Sequence, residues 1–412
     1  GTFLTRSGVL ASVHSFTQSS VGPVFLVFFG VLLVGSIALL LARSRALAAP
    51  GSLESSICRE TAFLVNNLLL VAITFTILLG TLFPLFAEAV QGSQLSVGGP
   101  YFNHIAVPIG LALLFLMGVG PVLPWGAGRL DDLQYKFVGP VGAAVGVVLI
   151  LLAIGVRGIG TLVTFGLASF ALAVTFARVA ADTRTRRGNT KEGWGSSTRN
   201  LLRANPRRYG GFLAHTGVLL AIIGIAASQT YQARAQATLL PGQSIRVDGY
   251  TVTYHGLRPV MEGDKISFQG SVSAVRGGQN LGTFRPSLND YLSYQQLVVT
   301  PAVREEPFDM LRGLFQGKNP FTDLGQLVHG RNPFEDLYLV PESMDLKNAN
   351  QHRANRWMTL QVLVNPMVGF VWLGGILMGL GGIYALIPAR RRRRVEAASP
   401  ERVRVRPEEV TV

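Results

Sequence analysis

Residues 366–388 read PMVGFVWLGGILMGLGGIYALIP and hold no charged side chain. A run of roughly 20 such residues crosses about 30 Å of hydrocarbon as a helix, the form in which every backbone polar group is satisfied within one segment. Six further stretches meet the same requirement, at about 21–43, 62–87, 104–125, 137–156, 158–180 and 209–228, and the last span extends over 365–388. With 49% hydrophobic and 15% charged residues in 412, the chain is far more apolar than a soluble core of that length needs. The sequence therefore predicts a polytopic α-helical membrane protein of about seven transmembrane helices.

The formal charge of +14 is not laid out as a nucleic-acid surface, because the basic residues do not alternate with aromatics along a groove. They cluster beside the spans. Between the fifth and sixth come Arg184, Arg186, Arg187, Lys191, Arg199, Arg203, Arg207 and Arg208, and Arg390 to Arg394 follow the seventh. ARSRALAAPG after the first span and GAGRLDDLQYK after the third fall on the same side, whereas EAVQGSQLSVGGPYFN between the second and third has no Lys or Arg. By the positive-inside rule this predicts the N-terminus outside and the C-terminus inside. The run at 390–394 reads as a topology anchor within a basic cytoplasmic tail, 389–412, whose end is expected to be disordered.

Cys58 is the single cysteine and falls in the predicted inner loop. An internal disulfide is impossible, so thiol chemistry in which the chain takes part has to use a partner's cysteines.

Residues 229–364 are the one stretch long enough for a separate domain, and the topology puts them outside. SIRVDGYTVTYHGL alternates apolar and polar residues, and KISFQGSVSAVRGGQNLGTF adds β-branched residues and a Gly-Gly turn. A β-rich domain between the last two spans is expected, as a sandwich or small barrel of antiparallel strands. Loops and a short helix are expected at 304–336, with a final strand, TLQVLVN, at 359–365. The domain reading is thus an outer segment over 1–20, a six-helix membrane part over 21–228, this β-rich domain, the last helix at 365–388 and the tail.

Of six histidines, His255, His329 and His352 lack a Cys, Asp or Glu at ligand spacing and read as ordinary surface or core residues, as does His104. His215 sits inside the sixth span, in GGFLAHTGVLLAIIGIAAS. An intramembrane imidazole is costly and turns to a partner in the bundle, which is either a neighbouring helix or a metal such as haem iron. Gly210, Gly211, Ala214 and Gly217 offer small neighbours over which a flat ring system could approach. His14 lies just before the first span, one helical turn from Leu10, with Arg6 two turns back as a cation for a carboxylate such as a haem propionate. On spacing alone His14 serves as an interfacial anchor equally well.

Several stretches resemble the CcmF family, the haem lyase subunit of bacterial cytochrome c maturation. They are GTFLTRSGVLASVHSF, RETAFLVNNLLLVAITFTILLGTLFPL, SVGGPYFN, GGFLAHTGVLLAIIGI, EDLYLV and NPMVGFVWLGGILMGLGG, in the family's order over nearly the whole chain. The family's tryptophan-rich outer segment is missing, since Trp125, Trp194, Trp357 and Trp372 stand apart. In family members that segment precedes the stretch that opens this sequence. The chain is therefore expected to be the C-terminal portion of a longer lyase, or the second part of a split one.

The resemblance implies roles residue by residue. His14 matches an outer histidine that ligates the iron of the delivered haem, and His215 a membrane histidine that ligates a resident haem b. Arg6, Asn66, Asn67, Tyr101 and Asn103 fall inside matching motifs, and the two asparagines are expected to serve packing or hydrogen bonding between helices. The implied function is thioether attachment of haem, the transferred substrate, to the cysteines of an apocytochrome c Cys-x-x-Cys-His motif. Implied partners are a haem chaperone, apocytochrome c, subunits that keep its thiols reduced, the upstream tryptophan-rich half, membrane lipid and a quinol reductant, in the bacterial inner membrane. A membrane scaffold or transport subunit with an outer sensing domain and no haem is the rival reading.

Overall fold

The computed structural model describes residues 21–47, 55–91, 97–126, 130–263, 265–291, 296–305, 335–346 and 356–388. Its helices are α1 (Val21–Leu47), α2 (Arg59–Gln91), α3 (Gly99–Val119), α4 (Leu130–Ala153), α5 (Ile159–Thr190), α6 (Trp194–Ala204), α7 (Pro206–Tyr231) and α8 (Gly369–Leu386). All but the short α6 are long and apolar enough to cross a membrane, so the expected seven spans are present. Many of their large apolar side chains stay exposed, Leu68, Val138 and Leu149 among them, because lipid is as apolar as leucine. Pro84, Pro108 and Pro140 lie within α2, α3 and α4, as membrane helices allow where neighbours satisfy the freed carbonyls.

The basic stretch after the fifth span differs from expectation. It is helical rather than the loop expected between two spans: α5 continues past the apolar limit to Thr190, and α6 follows. Hydropathy marks where a helix leaves lipid, whereas arginine and threonine in water do not oblige it to end. Lys191 ends α5 in the left-handed conformation (φ 56°), an Arg186–Glu192 ion pair at 3.1 Å closes the corner, and the Arg187 guanidinium lies 4.8 Å from the Trp194 ring centroid.

α7 and α8 pack antiparallel with their backbones almost touching. A Cβ added at Gly210 would fall 2.6 Å from the Gly381 carbonyl oxygen, one at Gly217 2.5 Å from that of Gly374, and one at Gly224 3.0 Å from that of Met367. Contacts repeat every seventh residue on both helices. Glycine at these positions admits an approach that any side chain would block, and dispersion along the seam replaces the hydrophobic effect missing in lipid.

Between the two helices the described residues form ten strands: β1 (Ala233–Leu239), β2 (Ser244–Val247), β3 (Tyr250–Glu262), β4 (Lys265–Arg276), β5 (Gln279–Phe284), β6 (Ser287–Tyr291), β7 (Gln296–Thr300), β8 (Ala302–Glu305), β9 (Asp336–Met344) and β10 (Met358–Asn365). They form an antiparallel four-stranded sheet, β1-β10-β9-β8, and a six-stranded one, β2-β3-β4-β6-β7 with β5 against β4. Both sheets turn one face to a common core, where Val252, Tyr254 and Val272 meet Leu339, Leu360 and Val362. Two-residue turns fix the registers. Asp248-Gly249 joins Val247 to Tyr250 and Gly277-Gly278 joins Arg276 to Gln279, with positive φ at all four, the geometry that matches strand twist.

The predicted final strand at 359–365 is β10, whose side chains alternate between core and surface. Of the stretch read as irregular, Arg304 and Glu305 belong to β8 instead, while 306–334 lies outside the described residues.

The β domain is joined to the membrane without a slack linker. β1 begins two residues after α7 ends, and it pairs with β10 from Ala233↔Val364 to Leu239↔Met358. At the junction Gln232 Nε2 donates to Asn365 Oδ1 at 2.6 Å. The antiparallel helix pair thus continues as an antiparallel strand pair.

Candidate functional site

A cavity of about 640 Å³ opens among α2, α3, α5 and α7. α2 contributes Arg59, Ala62, Phe63, Asn66 and Leu70; α3 and the turn after it contribute Leu113, Leu116, Met117, Gly120 and Pro121. α5 adds Arg178, and α7 adds Arg208, Phe212 and His215. Steps of three and four residues on α2, α3 and α7 show that one face of each lines it. Because Arg59, Gly120, Pro121, Arg178 and Arg208 share it, the basic ends of these helices lie together at one end of the bundle.

His215 stands about 13 Å along α7 from its first residue, at 1.5 Å per residue. It is the single imidazole among the described lining residues. The charges gather nearer the basic end. Arg208 pairs with Asp182 at 2.6 Å, and Tyr209 donates to the same carboxylate at 3.0 Å. Arg59 Nη2 donates to the Pro121 carbonyl at 2.9 Å, and its guanidinium lies 5.1 Å from the Trp125 ring centroid. The Nε atoms of Arg59 and Arg178 are buried without a hydrogen-bond partner. No carboxylate lines the cavity among the described residues, since Glu60 turns its oxygens to the Gly126 amide at 3.2 Å.

A flat, apolar, dianionic ring ligated through iron matches this donor set. The imidazole is an axial ligand type, Phe63, Phe212 and the leucines give apolar walls, the volume falls among ligand pockets of about 300–1,000 Å³, and the guanidinium groups of Arg59 and Arg178, each with a buried Nε that has no acceptor, suit carboxylates. The residues present therefore fit haem.

No family model matches the chain. It is 32% identical over 402 residues to the cytochrome c-type biogenesis protein CcmF of Pseudomonas aeruginosa, covering 96% of this chain and 54% of that one. To the protein of the same name from Escherichia coli K12 it is 26% identical over 408 residues, 98% of this chain and 55% of that. A solved structure titled cytochrome c heme lyase CcmF superposes with a TM-score of 0.59 at 26% identity, over 91% of this chain and 52% of the other. The chain is a CcmF homologue. It spans about half the length of the CcmF relatives it matches, and the seven spans with a β-rich domain before the last are consistent with the CcmF fold. Nothing in these likenesses favours a haem-free scaffold or transport subunit.

Against the expectations from the CcmF resemblance, the residues divide as follows. His215 and Asn66 line the cavity together, on facing helices. His14 and Arg6 lie outside the described residues. Tyr101 packs edge-on against Phe102, and both rings press on Gly80, where a Cβ would fall 2.7 Å from them, so this motif serves α2–α3 packing. Asn67 and Asn103 are exposed. His104 bonds through Nδ1 to the Pro100 carbonyl at 2.6 Å, and His255 through Nε2 to Ser273 at 2.7 Å, which accounts for both without a metal.

One expectation is overturned. Gly210, Ala214 and Gly217 do not open a face for a ring beside His215; they receive α8. At about 100° per residue this stripe lies almost opposite the Arg208–Phe212–His215 face of α7. Arg59, Arg178, Phe63 and Phe212 were not foreseen. Arg208 carried a readable signal, a cation two turns before a histidine, the relation noted for Arg6 and His14.

Proposed function

We propose that this chain is part of a cytochrome c haem lyase, and the observation that carries the reading is His215 in a haem-sized cavity within a chain that aligns with CcmF almost end to end. Haem is the transferred substrate. Each thioether forms by addition of a cysteine S–H across a vinyl C=C: the S–C bond forms, the π bond breaks and the proton goes to the neighbouring vinyl carbon. The step is redox-neutral, so the chain's part is positioning and access.

His14 ligates the iron of the delivered haem at the outer face, and Arg6 faces its propionates; both assignments rest on the motif match. His215 would hold a resident haem b, and that group would supply the reducing equivalent for the delivered iron, with quinol as the donor. Haem comes from a haem chaperone, and the acceptor is the Cys-x-x-Cys-His segment of apocytochrome c, its cysteines kept reduced by partner subunits. A tryptophan-rich segment of the CcmF kind completes the outer platform. The basic loops support an orientation in the bacterial inner membrane with the N-terminus and β domain outside and the tail in the cytoplasm.

The test is the optical spectrum of the protein purified from its own membrane, with holocytochrome scored in the same cells. His215→Ala is expected to abolish the b-type absorbance, and its retention overturns the assignment. His14→Ala is expected to keep that absorbance while cytochrome c assembly stops.

A further inference from the structure

We infer that Arg178, flanked by Arg59 and Arg208, forms a carboxylate clamp that takes the propionates of the tetrapyrrole at His215, so that its acid edge points to the basic end of the bundle. The inference rests on the haem reading of His215.

Geometry sets the span. Arg208 precedes His215 by two turns on one face of α7, about 10 Å along the axis, comparable with the reach from the iron of a haem to its propionate oxygens. Arg178 reaches the same end of the cavity from α5 and Arg59 from α2, so the three converge from three helices.

Charge calls for an anion there. The Arg59 guanidinium is near enough to those of Arg178 and Arg208 to be repelled by both, and the one carboxylate bonded to any of the three among the described residues, Asp182, is held by Arg208 and by the Tyr209 hydroxyl. Arg178 has no ion-pair partner among the described residues, and its Nε is buried with no acceptor. A buried N–H donor without an acceptor is costly. The fork of a guanidinium takes a carboxylate through two parallel hydrogen bonds, which removes that cost and fixes the ligand's orientation. A lysine in the same place supplies charge without the fork.

The test uses the purified protein, its Arg178→Gln and Arg178→Lys variants, and two probes, haem and haem dimethyl ester, added to ligand-depleted protein. In Arg178→Gln the b-type spectrum is expected to persist, because His215 is intact. The loss of a nearby cation is expected to shift the oxidised-to-reduced ratio at a fixed potential about tenfold toward the oxidised form, about 59 mV for one electron. Arg178→Lys restores most of that shift. The ester is expected to bind the unaltered protein at least tenfold more weakly than haem, and the gap closes in Arg178→Gln. An unchanged ratio together with ester binding equal to that of haem overturns the clamp and leaves His215 as ligand, with the arginines assigned to another anion such as a lipid phosphate. If Arg178→Gln does not accumulate, the ester comparison on the unaltered protein decides alone. Protein that shows no b-type absorbance and takes up no added haem overturns both readings.

Discussion

Tyr254 shows how one residue ties the β domain together. It lies between the two sheets, fully buried, and donates its hydroxyl to the Arg356 carbonyl at 3.1 Å. Burial favours the neutral phenol and pushes its pKa up to about 12, against about 10 for an exposed tyrosine. A group whose folded pKa is raised contributes stability below its unfolded pKa and loses it as the pH climbs through the folded value. The domain is therefore expected to weaken between about pH 10 and 12, read as a falling thermal midpoint of the purified protein. Tyr250 shifts in the same direction, by burial and by the Glu335 carboxylate, and acts alongside it. Tyr254→Phe is expected to cost about 1 kcal/mol at neutral pH and to make the alkaline fall shallower; an unchanged pH profile would show that this hydroxyl is not the cause.

Between elements, the α7–α8 seam decides how the last span is held. Gly217→Val puts two methyl groups where the Gly374 carbonyl already lies, so a cost of about 1–3 kcal/mol or more is expected from overpacking. A Cβ at Gly211 meets nothing within 4 Å, so Gly211→Ala should leave the thermal midpoint of the purified protein unchanged. Equal effects from both substitutions would mean that the seam is not the cause. These glycines also mark the limit of what the sequence discloses. Small residues beside a membrane histidine read equally as room for a ring or as room for a helix, and nothing local separates the two. The spans were legible because lipid imposes a length on every one, and the hairpins because Asp248-Gly249 and Gly277-Gly278 have few other uses. The cavity was not legible, since its walls come from four helices far apart in the chain. Arg208 stood out only as charge beside a span, and neither Arg59 nor Arg178, twelve residues before the end of α5, carried a local mark.

For the whole molecule the prediction concerns sidedness. In a Cys58→Ser background, Gly195→Cys in α6 and Arg258→Cys in β3 place single thiols at exposed positions on opposite sides of the proposed membrane. A membrane-impermeant maleimide is expected to label Arg258→Cys in spheroplasts and Gly195→Cys only in inverted vesicles; labelling of both from one side would refute the topology. The continuity of α7 and α8 with β1 and β10 has a mechanical consequence. Two helices locked along a glycine seam meet two strands locked in register through Gln232 on one side and the three-residue turn 366–368 on the other, so little slack separates the two pairs. A force that twists β1 against the membrane would therefore act on the α7–α8 pair together, and on His215 with it.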